Sequence, residues 1–510
     1  YNEQFYLYLA LTKASEQVIL TYSVMTSKGE SKRPSYLINR VKQVFPKLVV
    51  EKEEMDTSYE KIMGSDKGKS YLISHLADGS YAKDVIWWEI ASHYEKKTPG
   101  ILKDLLRIRE KRAGNNSLKK EAAKRLFGDV LYGSVTRFEQ YVQCPFAFFS
   151  HYGLLLNERQ QYEISSLDHG NLFHQAMEHL SHELEQRNKN WQDLSEEEAV
   201  LLAAECVDAV AERYQGRKYF QSNRVSFMLK RLKNEVVHSV WAMWHQMQEG
   251  DFVQTYTEKG FRGSDKEWES MCIPFDEDAK ICLNGVIDRV DLCSLPGEEL
   301  IKIIDYKSSD SQDLSLAKVY YGLQMQLLTY LEAAKEMVEK EHKGKEAVPA
   351  AMLYYAIKEK NLDWKPESEE EYEKRVLDSM KCKGYVNEEP EIIGHLDKSI
   401  VNGGELIPGQ KSVVVPVAVD KKGLLKKNSE TLSTKDFETL IAHTKEKMKE
   451  CGKAILDGKI EAIPYVYEDN DGCTYCPYGS VCGHESKKDG VREMKKMSDD
   501  EVWEALYGDD

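Results

Sequence analysis

The feature that most constrains the fold is a β-branched segment that ends in charged residues, Leu300–Lys307 (LIKIIDYK). Its apolar run predicts a buried strand. Side chains alternate across a strand, so Asp305 and Lys307 share one face. A carboxylate and an ammonium that point together from a strand end can hold a divalent cation beside a water or a phosphate oxygen. A simple same-face ion pair is the commoner meaning of Asp-x-Lys alone, because short motifs match by accident.

A second predicted strand lies just upstream and carries an acid on its apolar face. In Gly285–Asp291 (GVIDRVD), Asp288 falls in phase with the two flanking valines. A carboxylate there is costly to bury unless a cation or hydrogen-bond donors satisfy it. A Pro-Gly turn joins the two segments and predicts a hairpin that sets the strands side by side. Asp288, Asp305 and Lys307 are therefore predicted to converge.

These motifs, taken in order, resemble the nuclease motifs of the RecB-like PD-(D/E)XK family. The hairpin is followed by QLLTY, in which Gln326 and Tyr330 stand at i and i+4 on one helical face. The resemblance implies that this pair faces the substrate, although ordinary surface is an equal alternative without it. It also implies a metal-binding histidine on an upstream helix, and His174 in GNLFH fits that position. A lone helical histidine is more often structural.

The resemblance implies Mg²⁺-dependent hydrolysis of DNA phosphodiester bonds. Asp288 and Asp305 are then expected to hold Mg²⁺, and His174 to complete the metal site. Lys307 is expected to orient the attacking water or to stabilise charge that develops on the phosphate. A second hypothesis is a non-catalytic DNA-binding scaffold, against which the intact Asp-x-Lys motif argues.

Four of the ten cysteines form a pattern. Cys473, Cys476 and Cys482 have C-x2-C-x5-C spacing in a polar, glycine-rich segment. A tetrahedral site needs a fourth ligand, and Cys144 in a Cys-Pro-Phe triplet is the candidate. The remaining six are predicted to be reduced packing residues, namely Cys206, Cys272, Cys282, Cys293, Cys382 and Cys451.

Zinc is the commoner occupant of clustered cysteines, and the C-x2-C-x5-C spacing alone favours it. The pairing of a distant Cys-Pro-Phe with a C-terminal cluster instead resembles the iron–sulfur staple of RecB-like nucleases, in particular the AddB-type chains of AddAB-type helicase–nucleases. This resemblance covers residues 130–485 well and the first 130 residues more loosely. It implies a [4Fe–4S] cluster that joins the two ends of the nuclease domain and is mainly structural.

Residues 1–128 are predicted to be a helicase-like remnant. The segment at 3–15 and the strand-like segment at 17–22 (QVILTY) resemble the last motif of UvrD-like helicases. Active members have an arginine where Lys13 stands, and lysine lacks the planar bidentate grip on phosphate. Gly64–Ser70 (GSDKGKS) has one residue too few for a phosphate-binding loop and is predicted to be a solvated loop. ATPase activity is therefore not expected.

The 510 residues predict two or three domains of an α/β protein. After the remnant we predict a nuclease domain at 129–488, with a central mixed sheet flanked by helices, and an acidic tail at 489–510. Helices are predicted at 104–112, 118–126, 171–188, 196–214, 224–249, 316–340 and 434–457, with further strands at 351–357 and 413–419. Thr136 and Glu139 have capping-box spacing at one more helix start.

The net charge of −16 argues against a protein that coats nucleic acid by bulk electrostatics, yet it allows a local basic channel. The polar opening and the lack of a long apolar run predict a cytoplasmic protein without a membrane span. The absence of an initial methionine suggests a piece of something longer.

The AddAB-type resemblance implies DNA and an ATPase helicase–nuclease chain (AddA-type) as partners, in a heterodimer that resects double-strand breaks for recombinational repair. A third hypothesis is a free-standing Cas4-like iron–sulfur exonuclease, which the helicase-like first segment disfavours.

Overall fold

The computed structural model describes residues 2–24, 31–50, 65–78, 84–112, 117–157, 166–215, 223–262, 268–308, 313–357, 362, 368–484 and 490–508. The chain divides into two compact units, Tyr1–Gly114 and Asn115–Asp510, so the division lies before the boundary predicted at residue 128. None of the described helices combines the length and the apolar composition that a membrane crossing requires.

The first unit is helical and has a small core of its own. Trp87 is buried at its centre, and the indole donates a hydrogen bond to the carbonyl of Leu72 at 2.9 Å. The helices are α1 (Asn2–Thr12), α2 (Tyr36–Val44), α3 (Ser65–Asp78), α4 (Val85–Lys97) and α5 (Ile101–Arg112).

Two predictions for the first unit are wrong. Residues 17–22 belong to no helix or strand, and Ile19 is 75% exposed, because an apolar segment needs a neighbouring sheet to become a buried strand. Gly64 lies outside the described residues, and Ser65–Ser70 open helix α3 instead of forming a solvated loop. The acidic and basic residues of that segment are compatible with an exposed helical turn.

The second unit contains α6 to α18. These helices are α6 (Lys120–Phe127), α7 (Val135–Gln143), α8 (Pro145–Phe148), α9 (Ser166–Gln186), α10 (Glu196–Gln215), α11 (Asn223–Gln248), α12 (Leu316–Tyr320), α13 (Gln326–Glu341), α14 (Glu369–Ser379), α15 (Pro390–Leu396), α16 (Thr434–Leu456), α17 (Gly479–Cys482) and α18 (Asp499–Tyr507).

The strands of the described residues lie in the second unit. They are β1 (Val130–Gly133), β2 (Val253–Phe261), β3 (Met271–Pro274), β4 (Lys280–Leu283), β5 (Gly285–Leu295), β6 (Glu298–Lys307), β7 (Glu346–Ala356), β8 (Lys383–Asn387), β9 (Val401–Asn402), β10 (Glu405–Leu406), β11 (Thr431–Leu432), β12 (Tyr465–Tyr467), β13 (Asn470–Asp471) and β14 (Arg492–Glu493).

A six-stranded mixed sheet in the order β11-β8-β7-β6-β5-β2 forms the centre of the second unit. The predicted hairpin is confirmed, since β5 and β6 pair antiparallel from Leu295 and Glu298 onward, and β6 then pairs parallel with β7. Ile301 and Ile303 pack into a core with α13 and α16, whereas Leu300 and Ile304 pack into the core formed with α9, α10 and α11. The mixed sheet flanked by helices is therefore confirmed.

Smaller elements bring the chain ends of the second unit onto its body. Strand β1 pairs parallel with β4, and β14 pairs parallel with β12. Residues 490–508, predicted as part of an acidic tail, instead supply β14 and α18, whose Val502 is fully buried. The apolar residues of α18 dock this segment, although Asp499, Asp500 and Glu501 in its first turn are acidic.

Two further elements differ from their predictions. The helix predicted at 316–340 is two helices, because Gly322 between them has a φ of +78°, a left-handed conformation that ends the first helix. Residues 413–419, predicted as a strand, are a buried loop in which the Ser412 hydroxyl accepts hydrogen bonds from the amides of Val414 and Val415, each at 3.0 Å. The side-chain hydroxyl replaces a strand partner for those two amides.

Two cysteines predicted to be reduced form a disulfide. Cys272 on β3 and Cys282 on β4 are register partners with a Cα–Cα distance of 4.1 Å, so strand pairing sets their sulfurs against each other. The prediction is wrong because it rests on sequence spacing, which does not reveal cross-strand pairs. Cys206, Cys293, Cys382 and Cys451 are buried.

Candidate active site

Asp305 and Lys307 stand at the end of β6 and point the same way, as their spacing predicts. Lys307 Nζ lies 2.5 Å from Asp305 Oδ2, and Asp305 is only 2% exposed. Asp288 on the neighbouring strand is also buried, and its Oδ2 accepts a hydrogen bond from the Tyr306 amide at 2.7 Å. The hairpin thus brings the two aspartates and the lysine together.

The two carboxyl groups are electrostatically unfavourable without a cation. Burial, followed by the nearby charge of Asp305, raises the pKa of Asp288 well above its usual range. Burial also raises the pKa of Asp305, although Lys307 opposes the rise. Like charges in one buried place favour protonation, and a bound cation reverses that preference.

His174 lies on α9 at the edge of this acidic group, as predicted. Its Nδ1 is 2.8 Å from Oε1 of Glu258 and 3.6 Å from Oδ1 of Asp288. Burial opposes a charge on the imidazole, but the hydrogen bond to Glu258 and the charge of Asp288 raise the pKa of His174 to about 9. An imidazole in this setting carries a proton at neutral pH until a metal displaces it.

Glu258 on β2 is the site residue that sequence reasoning missed. It stands between the register pairs Thr257–Arg289 and Lys259–Ile287, which places it beside Asp288 on the adjacent strand. Its φ of +45° is uncommon for a residue with a side chain and is typical of functional positions. The sequence around Glu258 does not indicate a functional role, because β2 carries no recognisable motif. An acidic residue on an edge strand looks, in sequence, like an ordinary solvent-exposed residue.

The ligand atoms of His174, Glu258 and Asp288 all lie within 4.8 Å of one another. An imidazole with carboxylates suits Mg²⁺, Mn²⁺ and related divalent cations. Asp305 adds negative charge next to the three, since it contributes to the electrostatics of His174. The donor set therefore fits one divalent cation.

A chain of hydrogen bonds, called here the lysine relay, runs from Lys307 through Gln326 to Tyr330. Lys307 Nζ donates to Gln326 Oε1 at 3.1 Å, and Gln326 Nε2 donates to the Tyr330 hydroxyl at 2.9 Å. Tyr330 is only 7% exposed and packs edge-to-face against Phe261. A Cβ on Gly285 would lie 2.6 Å from the Phe261 ring and 3.2 Å from that of Tyr330, so glycine is required for this packing. Gln326 thus holds Lys307 and Tyr330 holds Gln326, and contact of the pair with DNA stays a prediction.

A second charged cluster lies buried on the opposite face of the same hairpin. Asp291, with no exposed surface, accepts hydrogen bonds from Arg289 at 2.7 and 3.0 Å and pairs with Lys302 at 2.8 Å. Arg289 also bonds the side chain of Tyr306, the residue between Asp305 and Lys307. The last acid of GVIDRVD thus neutralises core cations and is not part of the metal site.

The four patterned cysteines lie near one another, since Cys473 interacts electrostatically with Cys144, Cys476 and Cys482. Cys144 is buried at the C-terminal end of α7, and its neighbours in a small apolar cluster include Tyr478 and Cys476. A Cβ on Gly472, next to Cys473, would lie 2.9 Å from the carbonyl of Gln143, so the cysteine loop meets the end of α7 at backbone distance. The end of α7 and the cysteine loop, which are far apart in sequence, are therefore in direct contact.

The pKa values of two of the four thiols are raised. Burial, Asp471 and the three other patterned cysteines raise the pKa of the Cys473 thiol to about 11. Burial likewise raises the pKa of Cys144, an effect that nearby Arg492 opposes. A metal that binds cysteines holds them as thiolates.

The chain is similar in sequence to known proteins. The sequence profile of the PD-(D/E)XK nuclease superfamily matches residues 133–483. The chain is 34% identical to a subunit of the ATP-dependent helicase/deoxyribonuclease of Lachnoclostridium phytofermentans, across 100% of this chain and 43% of that protein. It is 31% identical to the same subunit of the Clostridium perfringens strain 13 enzyme, across 99% of this chain and 44% of that protein. The chain therefore spans less than half the length of these relatives.

Proposed function

The chain belongs to the PD-(D/E)XK nuclease superfamily, and from this we propose that it is a metal-dependent deoxyribonuclease that hydrolyses DNA phosphodiester bonds. The observation that carries the proposal is the convergence of His174, Glu258 and Asp288 within 4.8 Å, on three different elements of the nuclease domain. These residues would hold Mg²⁺, and Asp305 would complete the site. When bound, the cation supplies Lewis-acid activation of water and neutralises phosphate charge.

Lys307 is proposed to act directly on the reacting groups. Its ammonium is held between Asp305 and Gln326, at 2.5 and 3.1 Å, so it points at the place where the aspartates converge. A fixed cation there can orient a water molecule or stabilise negative charge that develops on a phosphate oxygen. Gln326 would keep the lysine in place, and its contact with DNA stays a prediction.

For the whole protein we propose the role of an AddB-type chain that acts with an ATPase helicase partner (AddA-type) in the resection of double-strand breaks. The support is the similarity to proteins named as a subunit of an ATP-dependent helicase/deoxyribonuclease. Such a role would place the protein in the cytoplasm, in contact with DNA. The first unit is proposed to lack ATPase activity, because Lys13 replaces the expected arginine.

We propose that Cys144, Cys473, Cys476 and Cys482 hold a [4Fe–4S] cluster. The support is their convergence and the contact between Gly472 and the end of α7, which bring the two ends of the nuclease domain together. Zinc is the alternative occupant, since the same four thiolates suit it. A cluster here would stabilise the domain by closing a long loop.

The experiment that tests the nuclease proposal is digestion of end-labelled linear DNA by the full chain with Mg²⁺, with and without a helicase partner and ATP. We expect cleavage that EDTA stops and that Lys307→Ala and Asp305→Ala lower by at least ~100-fold, as loss of a key electrostatic contact does. Asp313→Ala is the matched control, because this acid is exposed and pairs with Lys383. DNA binding without cleavage in any arm would instead identify a scaffold.

A further inference from the structure

Helix α13 begins without a capping side chain of its own. Its N-cap residue, Met325, has a φ of −108° and a ψ of −10°, and its side chain makes no capping hydrogen bond. The first amides of a helix have no partner within the helix and must find one elsewhere. The start of α13 therefore depends on a group from another part of the chain.

Glu139 on α7 supplies that group. Its Oε1 accepts a hydrogen bond from the Met325 amide at 2.6 Å across a sequence separation of 186 residues, and the Gln326 amide bonds the same carboxyl group. Helix α7 begins at Val135 with Ser134 as its N-cap, so Thr136 lies inside the helix and forms no capping box with Glu139, and that prediction is wrong.

The turn that Glu139 fixes carries the lysine relay. Gln326, the first residue of α13, accepts the hydrogen bond from Lys307 Nζ at 3.1 Å. The chain reaches this point through Gly322, whose φ of +78° marks a sharp turn rather than a continuous helix. A shift of the first turn of α13 would therefore move the Gln326 amide oxygen away from the lysine.

Helix α7, which carries Glu139, is packed firmly against the rest of the domain. Phe138, its neighbour in sequence, has no exposed surface, and the Tyr141 hydroxyl donates to the carbonyl of Lys459 at 3.0 Å. The helix ends at Cys144, one of the four converging cysteines. The helical segment around Glu139 is therefore fixed by residues on either side of it in sequence.

We propose that Glu139 is a positioning residue of the nuclease: by capping α13 it holds Gln326, which in turn holds Lys307 for phosphodiester cleavage. This rests on the proposed nuclease function. Glu139 acts through a hydrogen bond to backbone amides, so an uncharged acceptor of the same reach can replace it. The divalent-cation set of His174, Glu258 and Asp288 does not include it.

The test compares Glu139→Gln with Glu139→Asp in the full chain. Gln keeps the acceptor and its reach without the charge, whereas Asp keeps the charge on a side chain shorter by one methylene. We expect Glu139→Gln to cleave DNA within about threefold of the wild type and Glu139→Asp to be at least ~10-fold slower in single-turnover assays with saturating DNA. The DNA dissociation constant should change less than about twofold in both, because positioning lowers kcat and not binding. The reverse order of the two variants would overturn the proposal in favour of a charge role.

Hydrogen exchange gives a readout that does not depend on activity. In Glu139→Asp the amides of residues 325–328 should exchange faster than in the wild type, with β6 unchanged. Thr136→Ala, at an exposed position three residues earlier on α7, is the matched control and should alter neither exchange nor cleavage. Unchanged exchange at 325–328 in Glu139→Asp would contradict the proposal. If the wild type cleaves no DNA, the nuclease proposal fails while the exchange arm still decides whether Glu139 caps α13.

A double variant tests the route through Gln326. Glu139→Asp should cost far less cleavage in a Gln326→Ala background than in the wild type, because the relay is already broken there. Equal fold losses in the two backgrounds would show that Glu139 acts independently of Gln326 and would overturn the proposed route.

Discussion

His174 Nδ1 and Glu258 Oε1 lie 2.8 Å apart although 84 positions separate the two residues in the chain. The contact joins α9 to β2 and places both side chains beside Asp288 on β5. Without a bound cation, the protonated imidazole of His174 offsets the negative charge of the neighbouring carboxylates. Metal binding and protonation of His174 are therefore competing events at one place.

Metal binding should consequently release protons. Since the pKa of His174 is raised to about 9, the imidazole is protonated below that pH, and a metal ligand must be neutral. We expect at least about one proton released per Mn²⁺ or Mg²⁺ at pH 7, falling as the pH rises through 9. Calorimetric titrations in buffers of different ionisation enthalpy measure this number. Proton release that is absent at pH 7 would exclude His174 as a ligand.

Asp288→Asn should stabilise the metal-free protein while abolishing cleavage. The folded-state pKa of Asp288 is raised above its unfolded value, so ionisation of this group costs stability progressively as the pH rises from the unfolded pKa through the folded one. An amide removes that cost, and the gain in melting temperature over the wild type in EDTA should grow between pH 5 and 8. With saturating Mg²⁺ the order should reverse, because only the wild type gains binding energy from the metal. A variant less stable in EDTA at every pH would contradict this account.

The parts of the site that the sequence predicts are those with a strong local pattern. Asp288, Asp305 and Lys307 can be identified because alternation along a strand and a Pro-Gly turn determine which side chains meet. Glu258 cannot be identified this way, because its place is set by the register of β2 on β5, which depends on tertiary packing. Glu139 shows the complementary error: a capping-box spacing is present, but the carboxylate bonds another helix.

The same contrast holds for the fold. The long amphipathic helices α10, α11 and α16 match their predicted bounds within a residue or two, because many periodic positions agree. The break between α12 and α13 depends on the backbone of one glycine, and the buried loop at 413–419 is held by the hydroxyl of Ser412. Single residues of this kind do not change hydrophobic periodicity. The periodic pattern therefore predicts one continuous helix and one strand at places where the chain actually turns.

The buried cluster behind the site predicts a large loss of stability. Asp291→Ala leaves Arg289 and Lys302 buried without their counter-charge, and breaking such a pair costs about 3–5 kcal/mol. Urea denaturation at pH 7 should show this loss, whereas Asp313→Ala, which removes an exposed acid, should change stability by less than about 1 kcal/mol. A loss as small as that of the control would mean that Asp291 is not needed to neutralise the two core cations.

The cysteine cluster gives the last prediction, which also decides between its two occupants. Thiolate-to-iron charge transfer colours a protein brown, whereas zinc with its filled d shell is colourless. Protein purified without oxygen should be brown and contain iron and acid-labile sulfide. Cys144→Ala should remove the colour and lower the melting temperature, because it frees the end of α7 from the loop that begins at Gly472. Cys206→Ala is the matched control, since this thiol is buried on α10 away from the pattern and should leave the colour intact. Colour that survives Cys144→Ala would show that the fourth ligand lies elsewhere. Stoichiometric zinc in place of iron would show that the four cysteines form a zinc site, and the nuclease proposal would be unaffected.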